Sequence, residues 1–449
     1  MDTPRIVIGG VGSGVGKTVL SIGLMKALTD RGLSVAPFKA GPDYIDPMHH
    51  RAATGRGSRN LDSYILSRDA LLRSFAAGCE NAQIAVIEGV MGLFDSHDSI
   101  DERGSTAQTA KILKAPVILT VGAKKMARSA APLIRGFKDF DPEVDVAGVV
   151  LNMVGSERHR EKVKEAVEEL AGVEVLGALP DSPSLRLPER HLGLVPIHET
   201  ESDLKPLASL IEEYVDMDRV LEIARSAGEI EVPDAHGPGF ERGDVRIGIV
   251  YDRAFRFYYT ETLAQLSAAG NVTYIDALKD RRLPPIDLLY IGGGFPEVFA
   301  EELEKNRRFR ADVHDFCARG GRVYGECGGL MYLGESIITG EGRFEMVGFL
   351  PIETEMQDSY VGMGYTINRA VKDNLLCRRG ETILGHEFHH SRAILKGKVD
   401  FAFRTERGAG IDGAHDGIMK DNVLAGYMHV HPLGYGDMVK NLVRGCRLR

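Results

Sequence analysis

Arg5-Ile-Val-Ile-Gly-Gly-Val-Gly-Ser-Gly-Val-Gly-Lys-Thr18 is an apolar run, a glycine-rich turn and the start of a new periodic segment. The apolar residues predict a short buried strand ending near Gly9, and the pattern beyond the turn predicts a helix from about Thr18 to Asp30. Backbone N–H groups in such a turn, with the helix dipole behind them, favour an anion. Lys17 is placed to reach the β- and γ-phosphates of ATP and Thr18 to hold Mg2+. Gly12, Ser13, Gly14, Gly16, Lys17 and Thr18 are therefore the candidate nucleotide-binding residues. The spacing departs from Gly-x-x-x-x-Gly-Lys-Thr, because the first glycine position is Val11, flanked by Gly10 and Gly12.

Outward from the turn, a second strand, Leu33 to Lys39, runs into Ala40-Gly-Pro-Asp-Tyr-Ile-Asp-Pro-Met-His-His50. Ligands bind outside the carboxyl ends of strands in open parallel sheets, so Asp43, Tyr44, Ile45 and Asp46 become candidate substrate-binding residues. Carboxylates beside a phosphate loop are natural Mg2+ ligands. Tyr44 and Ile45 either touch the substrate or pack the loop. A third strand, Ile84 to Ile87, delivers Glu88 where such ATPases place their second metal-binding element. Thr18, Asp46 and Glu88 form the candidate metal set.

Helices are expected at about 105–114, 129–138 and 157–170, and strands at 116–121, 146–152 and 173–179. This alternation implies a parallel sheet covered on both faces. Asn152, at a strand end, either recognises adenine through its amide or caps the next helix. The stretch from Leu187 to Leu194 leads into one long helix, about Glu199 to Ser226.

Between Ala227 and Gly243 the composition turns polar and rich in proline and glycine, which divides the chain into 1–227, a linker 228–243, and 244–449. Strands at 246–251, 271–276 and 288–291 open the second half, the last ending at Gly292-Gly-Gly-Phe-Pro-Glu297. Then Tyr324-Gly-Glu-Cys-Gly-Gly-Leu330 reads as strand, sharp turn and helix start, a nucleophile elbow with Cys327 at the turn. The helix N-terminus behind it is expected to favour a thiolate. A glycine run at a strand end suits one N–H of an oxyanion hole, here Gly293, with Gly328 as the other. Three stretches compete to supply a base: Gly385 to His390, Asp412 to His415, and Gly426 to His431, the last before a helix expected from about Leu433.

The 449 residues suggest two or three domains, and 43% hydrophobic with 27% charged residues is an ordinary globular composition. A net charge of −9 argues against a nucleic-acid partner. Five cysteines without a Cys-x-x-Cys pair argue against a disulfide framework or zinc cluster and for a reducing, cytoplasmic setting. No signal-peptide pattern and no apolar run long enough to span a membrane is present, so no membrane partner is expected.

The phosphate loop resembles the variant of dethiobiotin synthetase and its relatives, and Gly12 stands where partition ATPases carry an extra lysine. Taken in order, Gly12 to Thr18, Lys39 to Pro47, Glu88 to Asp95, Gly292 to Glu297, Gly325 to Gly329 and Tyr427 to His431 resemble the cobyrinate a,c-diamide synthase family over nearly the whole chain. The resemblance implies an α/β protein with an N-terminal P-loop NTPase-like parallel sheet and a C-terminal class I glutamine amidotransferase domain. It implies ATP and Mg2+ as cofactors, with ATP, L-glutamine and a tetrapyrrole carboxylate as small-molecule substrates. Cys327 would be the nucleophile and His429 its base. Ordinary glutaminases carry His-x-Glu, whereas the position two beyond His429 is His431, which the resemblance puts in the place of the third catalytic residue. The implied reaction is amidation of the a and c acetates of cobyrinic acid, and the alternatives are Ni-sirohydrochlorin a,c-diamide synthase of coenzyme F430 synthesis and cobyrate synthase. A homodimer is the default oligomer.

Overall fold

The computed structural model describes residues 1–182, 189–190, 193–195, 203–234 and 243–446. The chain divides into two compact units, Met1–Ala235 and His236–Arg449.

In the first unit seven strands form one sheet: β1 (Arg5–Gly10), β2 (Val35–Ala40), β3 (Arg59–Leu61), β4 (Ile84–Glu88), β5 (Val117–Gly122), β6 (Val146–Val154) and β7 (Val175–Pro180). Their order is β3-β2-β4-β1-β5-β6-β7, and every pairing is parallel. β1 and β2 are buried along their whole length, as strands covered on both faces must be. Because β1 lies between β4 and β5, the turn after it emerges at the middle of the sheet's carboxyl edge. Helix α1 (Lys17–Asp30) follows at once, and α2 (Ile45–Thr54) begins inside the loop after β2. The register sets Lys39 of β2 opposite Glu88 of β4, which brings both strand ends beside the turn.

Two helices, Lys205–Tyr214 and Met217–Arg225, replace the single helix expected from about Glu199 to Ser226. The break has a local cause. Val215 bridges to Gly177, Asp216 N–H donates to Leu176 O at 2.8 Å, and the Asp216 carboxylate caps the second helix through Arg219 N–H. Residues 187–188, 191–192 and 196–202 of that expectation lie outside the described residues. The first linker residues belong to the first unit, since Met1 and Ile230 exchange backbone hydrogen bonds at 2.9 and 3.1 Å; residues 235–242 are outside the described set.

The second unit is built on a ten-stranded mixed sheet. Its parallel half runs Asn271–Ile275, Arg246–Val250, Leu288–Ile291, Arg322–Glu326 and Val423–Gly426. From there it continues antiparallel through His415–Lys420, Asp400–Arg407, Gly362–Ala370 and Thr382–His389 to His429–Val430. The helix expected from Leu433 begins at Met438, because Pro432, Gly434 and Gly436 hold the chain in turns. Among the described residues no helix is long and apolar enough to cross a membrane.

Candidate active sites in each unit

At the end of β1 the turn leaves Ser13 and Gly14 exposed and curls over Lys17, which is buried. Gly16 caps α1 at φ 94°, a left-handed conformation that suits glycine, and a Cβ there would stand 2.0 Å from Asn152 Nδ2. The Asn152 amide donates to Val15 O at 3.0 Å, and its Oδ1 accepts Met153 N–H at 2.8 Å. Asn152 thus holds the loop backbone. It does not cap the next helix, whose cap is Ser156. The Lys17 ammonium donates to Gly12 O at 2.9 Å. Burial, reinforced by the neighbouring Lys39 ammonium, pulls its pKa down to about 8.

Behind the loop lies a buried network of charges. Thr18 Oγ1 donates to Glu88 Oε1 at 2.5 Å, and His50 Nε2 lies 2.6 Å from Glu88 Oε2. Lys39 Nζ contacts Asp46 Oδ2 at 2.6 Å and Glu88 Oε1 at 2.9 Å. Burial alone would raise the Glu88 carboxyl, but Lys39, His50 and Thr18 overcome it and hold the group well below the usual carboxylate range. Asp46 goes the other way: burial and the nearby Asp43 and Glu88 carboxylates push it up against the opposing Lys39. Asp43 Oδ1 accepts the N–H groups of Ile45 and Asp46 at 2.8 and 3.0 Å, so it also shapes the start of α2. Tyr44 and Ile45 are buried, which fits the packing alternative for these two side chains.

Thr18, Asp46 and Glu88 therefore converge, but a lysine ammonium stands between the two carboxylates. Among the described residues no group of three or more His, Cys, Asp or Glu side chains forms a metal cage. This donor set suits an ion such as Mg2+ that keeps waters and takes phosphate oxygens as further ligands.

In the second unit Cys327 occupies the elbow at φ 49° and ψ −98°, a strained conformation for a non-glycine residue and a mark of functional turns. Its N–H donates to Gly426 O at 2.7 Å. The thiol does not rest as a thiolate: burial pushes its pKa far up and Glu297 adds to this, against the opposing N–H of Gly328. The helix behind it has only six residues, Gly328–Leu333. Gly328 packs against the glycine run, since a Cβ there would stand 3.1 Å from Gly294 N. Gly293 instead faces His429, whose Cε1 would lie 2.5 Å from a Cβ and Nε2 3.3 Å.

Of the competing histidines, His429 has its other edge toward a carboxylate, with Nδ1 3.4 Å from Glu326 Oε2. His386 stacks on it at 4.9 Å between centroids, 16° from parallel, and is held well below the usual range by burial. His431 turns elsewhere: Nδ1 accepts Leu433 N–H at 3.1 Å, Nε2 lies 3.9 Å from Glu261, and the ring packs 4.2 Å from Tyr259. His415 stacks on Phe401 and pairs with Asp412.

Sequence reasoning passed over Lys39, His50 and Glu326 as functional candidates, and reached His386 only as part of the competing stretch Gly385 to His390. Lys39 and Glu326 carried a signal, being polar residues at the carboxyl ends of buried strands beside named motifs. His50 carried none, because its partner Glu88 comes from a distant segment.

Two family models match: the CobQ/CobB/MinD/ParA nucleotide binding domain over residues 6–195 and the CobB/CobQ-like glutamine amidotransferase domain over residues 246–435. A protein of Archaeoglobus fulgidus named cobyrinate a,c-diamide synthase is 51% identical over 448 residues, covering 99% of this chain and 98% of its own. Proteins of the same name from Methanosarcina barkeri and Listeria monocytogenes are each 42% identical, covering 99% and 95% of this chain and 96% of their own in both cases.

Proposed function

The chain belongs to the cobyrinate a,c-diamide synthase family, and we propose that it amidates the a and c acetate carboxylates of cobyrinic acid with ATP and glutamine. The observation that carries this reading is the pairing in one chain of a lysine-bearing phosphate loop backed by buried acids with a glycine run that borders both the cysteine elbow and a histidine.

In the second unit the protonated state of Cys327 calls for a general base. His429 takes the proton from Sγ, and the sulfur attacks the glutamine carboxamide carbon. The tetrahedral oxyanion is met by the N–H of Gly328 and by one from the glycine run at Gly293. Collapse expels ammonia, which carries away the proton from His429, and water then hydrolyses the thioester to glutamate.

In the first unit a free carboxylate does not react with ammonia. Transfer of the γ-phosphoryl group of ATP converts it to an acyl phosphate, and ammonia then displaces inorganic phosphate. Lys17 and the loop amides of Gly12 to Gly16 bind the phosphates, Asn152 keeps the loop in shape, and Asp43 and Asp46 flank the place for the substrate carboxylate. Thr18, Asp46 and Glu88 are the residues that would hold Mg2+, which when bound neutralises phosphate charge.

The test is a mass-spectrometric product assay with glutamine, ATP and Mg2+, offering cobyrinic acid and Ni-sirohydrochlorin separately. Two successive amidations of cobyrinic acid support the proposal. Amidation of the nickel compound alone would move the protein to coenzyme F430 synthesis, and no reaction with either from an active glutaminase would overturn the substrate.

A further inference from the structure

A glutaminase base needs a partner behind its imidazole, and the position two residues beyond His429 holds a histidine that turns away. We infer that Glu326, the residue immediately before the nucleophile, is the carboxylate that positions His429; this rests on the glutaminase reading above.

Both side chains are buried, Glu326 at 2% and His429 at 1% exposure, so water does not dilute what passes between them. Strand alternation puts Tyr324 and Glu326 on one face of Arg322–Glu326, and the register sets Glu326 beside Gly426, three residues before His429. Tyr324 O–H and Val430 N–H donate to Glu326 Oε1 at 2.8 and 3.3 Å, Tyr290 also hydrogen-bonds this carboxylate, and Oε2 lies 3.4 Å from His429 Nδ1. Among the described residues His429 is the one ion-pair partner of this carboxylate. A buried carboxylate without a lysine or arginine gains most when that imidazole takes up a proton.

The rest of the ring is fixed to match. His386 covers one face, and the Cε1–Nε2 edge meets Gly293 in the glycine run. With Nδ1 on the Glu326 side of the ring, Nε2 is the nitrogen that would take the thiol proton. The arrangement supplies the orienting carboxylate from the nucleophile's own strand. Other titratable groups around the pair include Tyr324, Tyr290 and Tyr258 near Glu326, Cys327 next in the chain, and His386 with Tyr259, His431 and Glu261 beyond it.

The experiment measures glutamine hydrolysis by the full chain, with ATP and cobyrinic acid present, across pH 5.5–9. Glu326→Gln should lower kcat roughly 100-fold or more with KM for glutamine unchanged, and the acid limb of the profile should move to lower pH. Glu326→Asp should recover part of the rate, and it decides the matter by the same criteria if the glutamine variant does not fold. A folded Glu326→Gln protein within about threefold of the parent, or one whose kcat falls with an unmoved profile and no recovery in Glu326→Asp, overturns the positioning role. Glutamine hydrolysis that survives Cys327→Ala would instead refute the glutaminase reading itself.

Discussion

Lys39 Nζ lies 2.9 Å from Glu88 Oε1 on the neighbouring strand, with Asp46 Oδ2 at 2.6 Å on its other side. Side-chain exposures of 6%, 0% and 12% leave little water to screen these charges. The lysine is the cation that lets two acids share one buried place beside a phosphate site.

Removal of that cation should therefore be more harmful than removal of either acid. Lys39→Met is expected to destabilise the first unit by about 3–5 kcal/mol, the usual cost of leaving a buried charge unpaired. Asp46→Asn, which keeps a hydrogen-bond acceptor for the ammonium, should cost less. Denaturant unfolding of the two variants makes the comparison, and equal losses would refute it.

Nucleotide affinity should depend on pH through Lys17. Its folded-state pKa is lowered to about 8, so the ammonium is present below that pH and lost as pH rises through it. The dissociation constant for ATP is expected to be flat from pH 6.5 to 7.5 and then to weaken by up to about tenfold per unit. Lys17→Arg, which keeps its charge throughout, should remove the dependence. Calorimetry over pH 6.5–9.5 gives the answer.

Asn152 bonds to the loop backbone, which separates two roles for its amide. If it holds the loop, Asn152→Ala weakens ATP and GTP alike, by about 1–2 kcal/mol. A loss of discrimination between the two nucleotides would instead show that it reads the base.

Cys327→Ala should abolish glutamine-dependent amidation and leave amidation with high concentrations of ammonia. Folded variant that ammonia fails to rescue would disprove the division of labour between the two units.

The first unit was legible because its signals are local. A strand, a glycine turn and a helix lie in one stretch, and the alternation after it has the period of a parallel sheet. What was lost there depended on non-local partners: the helix break at Val215 follows from its pairing with Gly177, far upstream. In the second unit the antiparallel strands between Gly362 and Lys420 went unread, because they are partly exposed and interrupted by glycines and charges. The same distance effect applies to the sites. Cys327 declares itself by its flanking glycines, whereas Lys39 between Asp46 and Glu88, and His386 on His429, become visible only once separate segments meet.

The ten-stranded sheet carries a mechanical consequence. Val423–Gly426 is fifth in its order and His429–Val430 is tenth, yet just Tyr427 and Met428 separate them in the chain. Six strands therefore roll back on themselves like a cuff fastened by a two-residue tether. From Gly426, alongside the nucleophile's strand, to His429 the chain can extend no more than about 10 Å. The backbone that carries the imidazole is thereby leashed to the strand beside the nucleophile, so sliding strands cannot carry the two far from one another.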